Sequence, residues 1–280
     1  MQNKRRKQEL SIQAFARIEK IFEDRSWPME SETGASYFDD FCQMLSEMNQ
    51  SEVDLILDLT DRFIWISEAE YIHFFIKAFD VFVKELCCDG KKTIILCPLL
   101  READFQRSKS SLYVLYLIKA HLPSLQRKYR SVNITIVDTP LSYFIAQPPE
   151  EHILCLIDDF VGSGLTASDA LDFFMDKSMK AEKIVILSLI AMRSGIDYLR
   201  EMGYNSYAGI VQDKAITGTA DADNKARIMH SIEDRIKVKP CYRFGYEQSE
   251  SLVKLLRTPN NTFPVYWLRN KENRFAPFPR

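Results

Sequence analysis

An α/β fold with a central, mostly parallel sheet is predicted by three features of the sequence. From residue 93 onward, short apolar runs alternate with stretches of helical period. Those runs, TIILCPL, VNITIVD, HILCLID, KIVILSLI and SYAGIVQ, are almost continuously hydrophobic, as in strands covered on both faces. The residues before them carry only helical stripes. The expected divisions are a helical N-terminal region (1–90), an α/β core (91–220), and a helical and aromatic C-terminal extension packed on that core (221–280).

Along the N-terminal region, Ala14, Ile18, Ile21 and Phe22 mark one helical stripe. Phe38, Phe41, Cys42, Leu45 and Met48 mark a second, after the polar SETG connection. Ser67 followed by Glu70 is a capping-box pattern, which starts a helix whose Tyr71, Phe74, Phe75, Phe79, Phe82, Val83 and Leu86 predict a core face and whose stop is permitted by Gly90. Within the core, helices are expected over SLYVLYLIKAHL, TASDALDFFMDK and SGIDYLREMG between successive strands, with right-handed crossovers. Residues 221–237 and 248–257 are expected to be helical, and TPNNTFPVYW to form a tight polar turn followed by an aromatic lid or packed terminus.

The 280 residues carry 37 basic and 39 acidic side chains, a formal charge of -2, so bulk electrostatics favours no nucleic-acid partner. Two local clusters remain as candidates for phosphate contact, Lys4 to Lys7 and Arg127, Lys128 and Arg130 around Tyr129; a solvated helix end explains either as well. The start MQNKRRKQEL leads into a charged amphipathic segment and no apolar run spans a bilayer, so a cytoplasmic protein without membrane attachment is expected. Cys97 and Cys155 fall within predicted strands, where a thiol serves as a small apolar group.

The chemistry concentrates in Ile153–Thr166, ILCLIDDFVGSGLT. Its apolar half rises through the sheet, and Asp158 and Asp159 are expected at the carboxyl edge, where open α/β sheets place ligands. Val161, Gly162, Ser163, Gly164, Leu165 and Thr166 then form a small-residue turn opening a helix, with converging N–H groups and two hydroxyls suited to a terminal phosphate. The acid pair suits adjacent ribose hydroxyls or a magnesium ion; capping of the turn by one carboxylate is the alternative. Gly162, Gly164 and Ala167 also fit a dinucleotide G-x-G-x-x-A string, but KIVILSLIAMR ends without the acid that such a site needs. Neither a Walker A loop nor a G-x-S-x-G elbow occurs.

This string resembles the ribose-phosphate signature of the type I phosphoribosyltransferases: apolar residues, two acids, an apolar residue, two variable positions, Ser163, Gly164, a variable position and Thr166. The resemblance in architecture covers residues 93–212. It implies that Asp158 and Asp159 contact the ribose hydroxyls and hold Mg2+, that the 161–166 turn binds the 5′-phosphate, and that the loop after the first core strand binds pyrophosphate. That loop, LLREADFQRSKSS, lacks the glycine-containing turn common in active members. Arg101, nearest the strand edge, is the expected catalytic cation, with Arg107 and Lys109 as substrate contacts; a solvated charged surface is the other reading. The segment DTPLSYFIAQPPEEH, where active members often carry a mobile basic loop, has neither lysine nor arginine.

The long helical beginning and the Thr258–Trp267 ending resemble a divergent bacterial phosphoribosyltransferase-like group associated with conflict and antiphage systems, including retron-linked members. The implied function is binding of phosphoribosyl pyrophosphate or a nucleotide, with transfer at the ribose anomeric carbon. A nucleotide N-glycosidic hydrolase, and an inactive sensor that contacts a defence-system protein or nucleoprotein, are the alternatives.

Overall fold

The computed structural model describes residues 9–87, 92–146, 148–149, 151–176 and 181–280; the basic tip Lys4 to Lys7 and Gly90 lie outside them. The chain groups into two compact units, Met1–Ile66 with Lys214–Arg280, and Ser67–Asp213. This grouping runs across the divisions expected at 90 and 220.

Three helices open the first unit: α1 (Ile12–Asp24), α2 (Tyr37–Ser46) and α3 (Gln50–Asp61). Each starts on a side-chain cap, the hydroxyls of Ser11 and Ser36 accepting from the N–H groups of Ala14 and Asp39, and Asn49 with Glu52 forming a reciprocal box. A two-residue strand, β1 (Ile64–Trp65), ends this stretch.

The second unit begins with the capping signature at Ser67. Glu70 accepts from the backbone and hydroxyl of Ser67, closing a single 3-10 turn before α4 (Tyr71–Leu86). The remaining elements are β2 (Lys92–Pro98), α5 (Ser110–Ala120), α6 (Leu122–Lys128), β3 (Val132–Ile136), α7 (Pro140–Ile145), β4 (His152–Val161), α8 (Leu165–Asp176), β5 (Lys183–Met192), α9 (Arg193–Glu201) and β6 (Asn205–Gln212). The five strands form one sheet in the order β3-β2-β4-β5-β6, every neighbouring pair parallel. The chain runs outward from β2 to β3 and then crosses to β4 on the other side, so the order reverses between β2 and β4.

The aromatic stripe of α4 buries Tyr71, Phe75, Phe79 and Phe82, and the helix packs on β5 and β6. Gly209 in β6 allows the close approach: a Cβ there would stand 2.4 Å from the carbonyl oxygen of Phe74. Cys97 and Cys155 are buried free thiols, as expected of cysteines inside such strands.

The first unit resumes with α10 (Ala222–Arg235), β7 (Val253–Lys254) and α11 (Pro264–Trp267). The helix expected over 248–257 does not form. Glu247, Gln248 and Glu250 have positive φ, which no right-handed helix accommodates, and β7 pairs in parallel with β1. Glu250 fixes this turn by accepting from the N–H groups of Ile216 and Thr217, both at 2.7 Å. The TPNNT segment is a packed terminus. Thr258 donates to the carbonyl of Phe278, Asn261 to Ser249 and Thr262 to Val253, while Phe263, Tyr266 and Phe278 are fully buried.

Candidate functional site

Hydrogen bonding between β2 and β4 stops one residue before the acids. Pro98 is the last β2 residue in register, opposite Ile157, and the N–H of Leu99 closes the ladder on the Ile157 carbonyl at 2.8 Å. On its other side β4 continues, with Asp158 opposite Ser188 and Val161 opposite Ala191. The acids therefore lie inside the last turn of strand rather than after its end, at the point where the β2 neighbour has been lost. This is the switch point of the strand order, the position at which open α/β sheets place ligands.

Asp159 is 7% exposed and Asp158 is half-buried. The Asp158 carboxylate accepts from the N–H of Asp159 at 2.9 Å and from the Ser110 hydroxyl, at the start of α5, at 3.4 Å. Burial pushes the Asp158 carboxyl well above the usual carboxylate range and the charge of Asp159 adds to this; burial also raises Asp159. Two desolvated carboxyls in contact favour a divalent cation or hydroxyl donors between them. Magnesium fits this set, being a hard cation that takes one or two carboxylates and keeps its remaining positions for water and phosphate oxygens.

The turn from Val161 buries Gly162 and Gly164, leaves Ser163 half-buried and exposes Thr166. Gly164 has φ +87, a conformation that glycine adopts without strain, and its carbonyl accepts from Ser168 to start α8. The first N–H groups of a helix have no partners within it, so the 161–166 backbone presents donors at the end of β4. A Cβ on Gly164 would lie 2.7 Å from Tyr198 and 3.1 Å from the Gly195 carbonyl oxygen. It would thus point at α9, behind the turn.

Gly195 is the closer constraint. A Cβ there would stand 2.2 Å from the carbonyl oxygen of Gly162 and 3.2 Å from Val161. Helix α9 follows β5 without a loop, and its third residue supports the turn backbone to backbone. Sequence reasoning passed over Gly195. The signal was a glycine placed immediately after a long apolar strand, at the start of a helical stretch.

The segment after β2 is not simply a solvated surface. Asp104 is 1% exposed, and the three cations of the segment converge on it: Arg101 at 2.8 Å, Lys109 at 3.0 Å and Arg107 at 3.6 Å. Burial alone would raise the Asp104 pKa, but the hydrogen bond from Arg101 and the nearby charges of Lys109 and Arg101 outweigh it and hold the carboxyl below its ordinary value. Arg101 also reaches Asp169 of α8 at 3.6 Å, and Phe105 packs edge-on against Phe173 of α8 with ring centroids 4.9 Å apart. The loop is thereby tied to the helix that follows the small-residue turn, while Lys109 directly precedes the Ser110 that touches Asp158. Arg101, Arg107, Lys109, the acid pair and the turn are all gathered around the carboxyl ends of β2 and β4.

Elsewhere, Tyr129 is buried against Phe79, at 4.8 Å between centroids, and its hydroxyl donates to Asp80, which also pairs with Lys128. Its ring therefore offers no free stacking face to a nucleic acid. Between β3 and β4, Thr139 caps α7, whose buried Tyr143 bonds His152 at 2.8 Å. Among the described residues no helix is long and apolar enough to cross a membrane.

Among curated proteins none matches the chain. Among solved structures it is similar to the orotate phosphoribosyltransferase of Aeropyrum pernix, at 13% identity over 51% of this chain and 72% of that one, with a TM-score of 0.32. It is also similar to the xanthine-guanine-hypoxanthine phosphoribosyltransferase of Helicobacter pylori (15% identity, 54% of this chain and 84% of that one, TM-score 0.28). A hypothetical protein from Neisseria gonorrhoeae with bound ppGpp is a third (11%, 60% and 96%, TM-score 0.33). The PRTase-CE family model matches residues 36–280, which include the acid pair, the turn and the whole sheet. The chain belongs to PRTase-CE, a divergent phosphoribosyltransferase-like family.

Proposed function

We propose that this protein binds phosphoribosyl pyrophosphate with magnesium and displaces pyrophosphate from the ribose anomeric carbon. The observation that carries the reading is the meeting of two desolvated acids, a small-residue turn and a cationic loop at one switch point. In it, the 161–166 turn anchors the 5′-phosphate through its backbone donors, with Ser163 and Thr166 adding hydroxyls. Asp158 and Asp159 accept from the ribose hydroxyls and hold the cation, whose chemistry is to offset phosphate charge. As the bond from the anomeric carbon to the pyrophosphate oxygen breaks, the leaving group takes the electron pair; Arg101, supported by Arg107 and Lys109, stabilises that charge. The acceptor supplies the electrons of the new bond to the anomeric carbon.

A second reading is binding without transfer, as a phosphoribosyl or nucleotide sensor. It is favoured by the β3–β4 connection, which holds no lysine or arginine and spends its middle on α7. The setting proposed for either reading is cytoplasmic bacterial antiphage defence, including retron-linked systems, with a defence-system protein or nucleoprotein as partner. The support for that setting is the likeness of the chain's two ends to that group.

The test is calorimetry of phosphoribosyl pyrophosphate, with and without magnesium, on the full chain and on an Asp158→Asn, Asp159→Asn double variant, alongside pyrophosphate release. Removing two adjacent, desolvated acids that disfavour each other's ionisation should leave the unliganded fold as stable or slightly more so, while magnesium-dependent binding is lost. Binding without release in the native chain selects the sensor. Equal affinity in native and doubly substituted protein sinks both readings.

A further inference from the structure

We infer that Asp104 is a positioning residue for a diphosphate group: a buried counter-ion around which the loop after β2 is folded so that Arg101, Arg107 and Lys109 are held ready at the end of that strand. The inference rests on the ribose-phosphate reading above and adds to it the device that organises the leaving-group end. A carboxylate only 1% exposed, in a loop whose neighbouring residues Glu102, Ala103, Gln106 and Arg107 are all exposed, is costly unless it is paired. Here it is paired three times, at 2.8, 3.0 and 3.6 Å. Its backbone is pinned as well, its N–H donating to the Arg101 carbonyl at 2.8 Å and its carbonyl accepting from Arg107 at 2.9 Å.

The charge of the cluster does not cancel. Three cations face Asp104 and, through Arg101, Asp169, which leaves one net positive charge. The cationic ends are not sealed in either: the side chains of Arg101, Lys109 and Arg107 are 37%, 35% and 69% exposed. A buried anion thus fixes the inner side of three long side chains whose outer sides stay open to a ligand. Long cationic side chains lose much rotamer freedom when a ligand orders them, and ordering them beforehand removes that cost from binding. The position matches the need, since Lys109 adjoins Ser110 on Asp158 while Arg101 reaches α8 beyond the turn. The β3–β4 connection has no cation to contribute.

The geometry separates this role from simple neutralisation, because the two predict opposite signs. If Asp104 positions the cations, Asp104→Asn scatters them and weakens a diphosphate ligand. If Asp104 merely competes with the ligand for them, the same change raises the local positive charge and tightens it. The experiment is calorimetry on the full chain with two probes, inorganic pyrophosphate with magnesium and ribose 5-phosphate, with thermal unfolding to establish that each variant is folded. Asp104→Asn should weaken pyrophosphate at least tenfold and leave ribose 5-phosphate within about twofold. Arg107→Ala, at a mostly exposed site that folding tolerates, should weaken pyrophosphate severalfold and flatten its salt dependence. Unchanged or tighter pyrophosphate binding in Asp104→Asn overturns the inference; if that variant does not fold, an unchanged Arg107→Ala does so. Native protein that binds ribose 5-phosphate but not pyrophosphate also overturns it. Native protein that binds pyrophosphate but not ribose 5-phosphate instead removes the assignment of the turn.

Discussion

Replacing Gly195 with alanine tests how the 161–166 turn is held. The new Cβ would stand 2.2 Å from the Gly162 carbonyl oxygen, whereas real Cβ contacts essentially never fall below 3.0 Å. The turn and the first turn of α9 must therefore separate by about 1 Å, backbone against backbone, with no side chain able to swing away. Crowding of this kind costs roughly 1–3 kcal/mol, and alanine in place of glycine inside a helix returns about 1 kcal/mol. The net loss of stability should be modest, about 1 kcal/mol. Ligand binding should suffer more, since a shift of about 1 Å exceeds the roughly 0.5 Å range of N–H···O distances over which the turn's backbone donors keep a hydrogen bond. Calorimetry with ribose 5-phosphate and a thermal melt measure the two effects separately. Gly209→Ala is the control, because its Cβ would meet the Phe74 carbonyl oxygen at 2.4 Å, a comparable clash between β6 and α4. It should lower the melting temperature and leave ribose 5-phosphate affinity unchanged. A folded Gly195→Ala protein that binds ribose 5-phosphate like the native chain would refute the reasoning.

Two further outcomes are expected. Gly164→Val places a β-branched residue at φ +87 and pushes its Cβ against Tyr198, so a folded variant should lose phosphoribosyl pyrophosphate binding through distortion of the turn; calorimetry that finds native affinity removes the phosphate from this turn. Glu233 of α10 is fully buried, accepts from the N–H of Phe244, and has its pKa pushed up by burial from 4.5 to about 7. Because its folded pKa lies above its unfolded one, its contribution to stability is complete below about pH 4.5 and is lost as pH rises to about 7, on the order of 3 kcal/mol in all. Glu233→Gln should flatten that part of the stability profile in chemical denaturation at pH 4.5 and pH 8, and an unaltered pH slope would count against the assignment.

Much of this architecture was legible because local pattern and tertiary burial agree. The phenylalanine spacing of α4 and the apolar run before Asp158 announce a buried helix face and a central strand without knowledge of their neighbours. The acid pair and small-residue turn were legible for the same reason, their chemistry being contiguous in sequence. What escaped depends on side-chain direction and on folded contacts that no sequence pattern shows. Asp104 looked like part of a mixed-charge surface because nothing local shows that three cations turn inward to it. Gly195 matters only because Gly162 lies against it, and the helix expected over 248–257 is overridden by Glu250, whose carboxylate is drawn to the Ile216 and Thr217 N–H groups. Helix propensity is a weak force beside a buried charge seeking donors.

The central claim is that the switch point between β2 and β4 holds a phosphorylated ribose, and a structure of the native chain with phosphoribosyl pyrophosphate and magnesium tests it most directly. The 5′-phosphate should lie on the backbone of residues 161–166, with the ribose hydroxyls at Asp158 and Asp159 and the diphosphate toward Arg101, Arg107 and Lys109. Ligand bound away from the carboxyl ends of β2 and β4, or an empty site at saturating ligand, would contradict the account.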